Sequence, residues 1–259
     1  MNTDHVLWIG GPSGSGKTTV ARQLARRHGL RWYNCDTRTW IHRDRALEAG
    51  VPGAELFERL SPAERSRASR ADAIAMSLHA ERALMVLDDI AEFPREPVIV
   101  VDGTLVVPAI AGPHAVWLIP SAATQRTRLE QREGKMPGTA PMWRESISAD
   151  VAAAGRPTIE VDGLTPAEEL AAVESVFAER LAQGPLATSA GERRRLIRES
   201  NRAIVNQYRA GLARPWATAN PETVVRPFDC ECVRPGCTAV VPLAIAEFPD
   251  DGPLLASGH

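Results

Sequence analysis

Residues Gly10 to Val20 read GGPSGSGKTTV. Before this stretch comes HVLWIG, a short apolar run ending at Gly10, and after it comes KTTVARQLARRHG, with Val20, Leu24 and His28 at helical spacing. A buried strand must therefore turn through a glycine-rich loop straight into a helix. Gly14 and Gly16 let backbone N–H groups approach an anion without a side chain in the way. The helix start adds the positive end of its dipole. Gly11, four residues, Gly16, Lys17 and Thr18 complete the pattern GxxxxGK[ST], whose physical reading is a cradle for phosphate groups. The choice of lysine is itself informative. The chain has 30 basic residues, and only Lys17 and Lys135 are lysines. A compact ammonium fits a narrow gap beside a polyphosphate, where a planar guanidinium would not. Gly11, Ser13, Gly14, Ser15, Gly16, Lys17, Thr18 and Thr19 are thus the expected nucleoside triphosphate contacts, with the Thr18 hydroxyl turned to magnesium.

Further apolar runs follow at Arg31–Cys35, Val98–Val101, Ala115–Ile119 and Thr158–Val161, with helical stretches between them. This alternation predicts an α/β fold, a doubly wound parallel sheet covered on both faces. SPAE at Ser61 and TPAE at Thr165 each combine an N-cap, a proline at the first helical position and a closing glutamate. Ile41 to Arg95 is too long for one crossover helix and reads as a helical insertion, either a cover over a second substrate or packing on the sheet. The expected domains are 1–182 for the phosphate-binding part, 183–191 for a linker of small residues, and 192–259 for an arginine-rich helix with a cysteine module.

A phosphate loop serves kinases, switches and motors alike. Phosphoryl transfer also needs magnesium, a group for the attacking hydroxyl and cations for the moving charge. In doubly wound sheets the ligand lies at the carboxyl ends of strands. Asp102 ends the third strand and is expected to hold magnesium. Asp36 follows the second and is expected to orient or deprotonate an acceptor hydroxyl. Either could instead be an ordinary turn residue. After the fourth strand come Arg126, Arg128 and Arg132, with Arg128 and Arg132 on one helix face. These are the candidate cations, Arg128 and Arg132 for the transferred phosphoryl and Arg126 for the nucleotide.

With these residues in view, the chain resembles the small P-loop kinases of shikimate-, gluconate- and adenylate-kinase type, with chloramphenicol phosphotransferase and zeta toxin relatives. It is most similar to actinobacterial P-loop ATP-binding proteins. The resemblance rests on GGPSGSGKTTVARQLARRHGL, YNCDTRTWIHRDRA, PVIVVDGTLVVP, AVWLIPSAATQR and IEVDG, over roughly residues 5–181. It implies a five-stranded sheet of order 2-3-1-4-5, ATP with magnesium, acceptor contact from Asp36 and base contact near Val161 to Gly163. Two departures stand out: Asp36 is followed by Thr37 and Arg38 rather than a second acid, and Asp102 takes the place of a glutamate. They leave the small-molecule acceptor open.

The tail carries a different chemistry. ERRRLIRESNRAIVNQYRAG is followed by FDCECVRPGCTAVVPL, similar to a second actinobacterial element, an arginine-bearing helix before C-x-C-x4-C. Cys230, Cys232, Cys237 and His259 could supply four zinc ligands. The other reading is plain thiols near a Pro235–Gly236 turn. Gly191 to Arg214 has a balance of +5 and Pro215 onward −4, so the arginine helix reads as a solvated or internally paired face before it reads as a nucleic-acid arm. A net charge of −2 argues against a broadly basic nucleic-acid binder. No apolar run reaches membrane-spanning length. The expected location is the cytoplasm, with thiols reduced. Two functions fit: a kinase acting on a small-molecule hydroxyl, or a nucleotide-dependent regulator whose tail binds a partner.

Overall fold

The computed structural model describes residues 2–234 and 236–259, so Pro235 of the expected turn lies outside them. It comprises two compact units, one of residues 1–35 and 93–196, the other of residues 36–92 and 197–259.

In the first unit, β1 (Val6–Gly10) is buried along its whole length. The loop carries it into α1 (Lys17–His28), which ends at Gly29 with φ of 70°. β2 (Arg31–Asn34) and, after the insertion, β3 (Ile99–Asp102) and β4 (Ala115–Ile119) follow. The set closes with β5 (Thr158–Glu160). All pair in parallel in the order β2-β3-β1-β4-β5. That order matches the expectation drawn from the resemblance. β1, β3 and β4 are buried almost throughout and read as near-continuous apolar runs, whereas the edge strand β5 is largely exposed. On one face lie α1 and α9 (Pro166–Gln183), which bring Val20, Leu24, Leu170, Val173, Phe177 and Leu181 onto Leu7, Ile9, Val100 and Val116. α9 starts at the expected capping box, Thr165 with Glu168. α7 (Ala122–Glu133) and α8 (Ala140–Ala153) also belong to this unit, and α8 buries Ile147 and Val151. The segment after α9 is pinned: Val98 N–H donates to Pro185 O at 3.0 Å and Ala187 N–H to Gly29 O at 2.9 Å.

The second unit draws on two distant stretches of sequence. Residues 36–92 open with a 3-10 turn at Cys35–Arg38 and then form five helices. These are α2 (Thr39–Glu48), α3 (Pro52–Arg59), α4 (Pro62–Ser66), α5 (Arg70–Ser77) and α6 (His79–Glu92). α4 begins at the second expected capping box, Ser61 with Glu64. The buried Asp89 carboxylate accepts from His42 Nε2 at 3.0 Å and Arg45 Nη1 at 2.6 Å, which ties α6 to α2. From Ile197 the unit takes most of α10 (Ala190–Leu212) and an antiparallel pair, β6 (Val225–Asp229) and β7 (Val240–Ala244). The two stretches meet at an aromatic cluster. Trp216 stands 5.5 Å from Trp40 and 6.1 Å from Phe57, centroid to centroid. Arg214 Nη2 donates to both oxygens of Asp44, at 2.7 and 2.9 Å.

Candidate functional site

The loop between β1 and α1 has the backbone its sequence demands. Gly11, Gly14 and Gly16 have φ of 135°, 82° and 88°. At two of them space is lacking as well. A Cβ on Gly11 would sit 2.4 Å from Leu118 O, and one on Gly16 would sit 2.3 Å from Glu169 Oε2. Lys17 is 6% exposed, and its Nζ donates to Pro12 O at 3.2 Å across the loop. The Ser15 hydroxyl is buried with no hydrogen-bond partner among the described residues. A cradle that glycine alone can line, a buried ammonium and an orphaned hydroxyl are the donor set for a polyphosphate.

Asp102 adjoins this loop. Parallel pairing sets it beside Ile9 on one side and Asn34 on the other. It is fully buried, and four hydrogen bonds converge on its carboxylate. Thr18 Oγ1 donates to Oδ2 at 2.6 Å, Trp32 Nε1 to Oδ1 at 2.8 Å, and Asn34 Nδ2 to both oxygens at 2.9 and 3.0 Å. Burial raises the Asp102 pKa above the ordinary 3.8, while Thr18, the Lys17 charge, Trp32 and Asn34 pull it back. A carboxylate and a hydroxyl 2.6 Å apart are hard oxygen donors of the type magnesium takes.

A second layer braces the loop from α7 and α9. The buried Gln125 donates to Ser13 O at 3.0 Å. Arg128 donates to Glu169 Oε1 at 2.6 Å, Val161 O at 3.3 Å and Gly14 O at 3.5 Å. The Glu169 side chain is 3% exposed and that of Arg128 28%, so the carboxylate end of this pair is removed from water. Such a pair fixes geometry more surely than it adds stability.

The structure thus brings Gly11 to Thr18, Asp102 and Arg128 together. Arg132, four residues on, has a side chain 60% exposed and pairs with its neighbour Glu133 at 2.5 Å. Arg126 and Thr19 are exposed. Asp36 is exposed in the 3-10 turn directly after β2, where its carbonyl accepts from Thr39 Oγ1 at 2.9 Å. It belongs to the second unit. Trp32, Asn34, Gln125 and Glu169 escaped sequence reading. Trp32 and Asn34 did leave a trace: they alternate along β2, and period two puts both on the side of one residue at the neighbouring strand end.

In the second unit Cys230, Cys232, Cys237 and His259 form another cluster, with one ligand atom from each within 4.8 Å of the others. Among the described residues no disulfide links Cys35, Cys230, Cys232 or Cys237. No helix among the described residues is long and apolar enough to cross a membrane.

Among known families, the NB-ARC domain model matches residues 1–96. No curated protein matches the chain. Among solved structures, it is similar to a gluconokinase from Sinorhizobium meliloti 1021, at 17% identity and a TM-score of 0.45, over 71% of this chain and 97% of the other. The tunicamycin resistance protein of Deinococcus radiodurans aligns at 18% identity and a TM-score of 0.43, over 71% and 98%. Shikimate kinase from Acinetobacter baumannii, in complex with shikimate, aligns at 16% and 0.41, over 69% and 93%. The glycine loop at the end of β1 and the sheet order β2-β3-β1-β4-β5 make this the α/β fold of P-loop nucleotide-binding proteins.

Proposed function

We propose that the chain is an ATP-dependent kinase that transfers the γ-phosphoryl group to a hydroxyl of a small molecule. The observation that carries this reading is the Asp102 cage. A carboxylate buried beside Lys17 and held ready by Thr18, Trp32 and Asn34 is more than phosphate binding alone requires. Bound ATP with magnesium would supply the phosphoryl group and neutralise much of its charge. Gly11 to Thr18 would hold the phosphates with backbone N–H groups. Thr18 and Asp102 would hold the cation, Asp102 in its ionised form. Lys17, now spending its ammonium on a loop carbonyl, would turn that charge to the phosphates. Arg128 and Glu169 would keep the loop in shape, and Arg126 and Arg132 remain candidates for cations recruited once substrates are bound. Asp36 is assigned to the acceptor hydroxyl because it directly follows the carboxyl end of β2, an edge strand. The location is assigned to the cytoplasm, where thiols stay reduced.

The second reading, a nucleotide-dependent regulator, draws on the separate polar and aromatic framework of the second unit. Product analysis separates the two. Screening small-molecule hydroxyl compounds for acceptor-dependent ADP release, with the phosphorylated acceptor identified, supports a kinase. Tight nucleotide binding with only slow hydrolysis, unaffected by any acceptor, refutes it.

A further inference from the structure

The spacing C-x-C looks too tight for a metal knuckle until the chain around it is followed. β6 runs extended to Asp229, and residues two apart in extended chain point to the same side. Cys230 and Cys232 can thus share one side while Glu231 takes the other. Glu231 is 1% exposed and thoroughly engaged: its carboxylate accepts from Asn201 Nδ2 at 3.0 Å, Leu254 N–H at 3.1 Å and Arg198 Nη1 at 3.3 Å. Asn201 also clasps the strand backbone, donating to Asp229 O and accepting from Asp229 N–H, both at 2.9 Å. α10 therefore fixes the orientation of the C-x-C segment from behind, and the two sulfurs face the opposite way.

On that side the chain closes on itself. Val233 and Gly236 have φ of 53° and 72°, and the left-handed turns bring Cys237 back. His259 Nδ1 lies 3.1 Å from Cys232 Sγ, 3.3 Å from Cys230 Sγ and 3.6 Å from Cys237 Sγ. A tetrahedron with zinc–sulfur bonds of about 2.3 Å and a zinc–nitrogen bond of about 2.0 Å has edges of roughly 3.5–3.8 Å. The three nitrogen–sulfur separations are close to the shorter edge, and all four ligand atoms lie within 4.8 Å of one another. The backbone N–H of Ala256 donates to Cys230 Sγ at 3.3 Å and helps to orient that sulfur. Three soft sulfurs and one imidazole are a donor set for zinc, not for magnesium or calcium.

We propose that Cys230, Cys232, Cys237 and His259 bind one structural zinc ion. Four protein ligands leave no open position, so the site is not catalytic. Its work is to staple a small core. Around the hairpin and the irregular tail, the cluster of Val205, Phe228, Ile245, Phe248 and Leu254 has five buried side chains among the described residues, a small core to rest on. Binding displaces the thiol protons to solvent and ties the Cys230–Cys237 turn to the segment ending at His259. This inference is independent of phosphoryl transfer and stands or falls without it.

The test uses the full chain, purified without chelator and without a histidine tag. Metal analysis should give one zinc per chain. Stripped under reductant, the chain should take up one equivalent of cobalt(II) with thiolate charge-transfer absorption, which zinc then displaces. Cys232→Ser and His259→Ala should each weaken zinc binding at least about 100-fold, the upper end of what losing a mere outer partner costs. His259→Ala removes an exposed side chain, so with zinc in excess its circular dichroism should match the parent and exclude misfolding as the cause. Chelation should loosen residues 225–259 in hydrogen exchange and leave β1 and β3 protected. The proposal is overturned by a chain that binds neither zinc nor cobalt with its thiols reduced, by a different resident metal, or by undiminished zinc affinity in both variants.

Discussion

Trp32→Phe removes one N–H from the Asp102 cage and keeps most of the ring. The indole donates to a buried carboxylate at 2.8 Å. A hydrogen bond to a charged group contributes about 1.5–3 kcal/mol. Trp32 is only partly buried, so water can replace some of that, and the lower figure applies. About 1.4 kcal/mol is one pKa unit, so the variant should raise the Asp102 pKa by about one unit. The direction follows from the charge: the lost donor stabilised the ionised form, and burial already holds the pKa above 3.8. Only the ionised carboxylate can hold magnesium. Magnesium–nucleotide affinity should therefore fall on acidification through the folded pKa, and in Trp32→Phe the fall should begin about one pH unit higher. Well below both pKa values the variant should bind about tenfold more weakly; well above them, equally. Folding stability moves oppositely. A raised carboxyl pKa gives a contribution complete below the unfolded pKa and lost as pH rises through the folded one. The assay is titration of a fluorescent ATP analogue with magnesium across pH, beside a magnesium-free series. If both proteins lose affinity over the same pH range, the indole N–H does not hold the Asp102 charge and the cage argument fails.

Other substitutions probe the rest of the site. Lys17→Ala should abolish turnover with the fold intact, and Lys17→Arg should also turn over poorly; wild-type turnover in the latter would refute the argument from ammonium shape. Gly16→Ala should abolish nucleotide binding, since the residue has φ of 88° and a Cβ would meet Glu169 at 2.3 Å; calorimetry with ATP would show it. Asp36→Asn should leave ATP binding unchanged and cut acceptor-dependent turnover by roughly 10²–10⁴-fold, whereas Asp102→Asn should shift the magnesium dependence of transfer and background hydrolysis alike. Steady-state rates over a magnesium series, with and without acceptor, distinguish the two, and undiminished activity in both variants would remove the main support for a kinase beyond the phosphate loop.

Much of the first unit was legible because its rules are local. Apolar runs with punctuating glycines mark the strands, and Thr165 with Glu168 marks the start of α9. Strand order was not local and came through resemblance. The phosphate loop could be read residue by residue, since backbone conformation there is dictated by glycine. Its supports could not. Glu169 looks like one more helix-surface acid until the fold sets it against Gly16, and Trp32 looks like core until its N–H finds Asp102. Arg128 and Arg132 share the spacing of one helix face, yet only the first meets a buried carboxylate. The cysteines announced a cluster, while the clasp from Asn201 and Arg198 on Glu231 comes from a helix 30 and 33 residues earlier.

The aromatic junction of Trp40, Phe57 and Trp216 has a consequence in time. Chains leave the ribosome from the amino end at about 5–20 residues per second. Helices α2 to α6 emerge early, but the ring that closes their cluster and the Arg214 partner of Asp44 come more than 150 residues later. In that interval Trp40 and Phe57 have no Trp216 to pack against, a condition in which nascent chains attract chaperones or one another. Cutting the gene at the 183–191 segment would make that waiting state permanent. A fragment ending at residue 182 should therefore be less soluble than the whole chain, although it holds the entire parallel sheet.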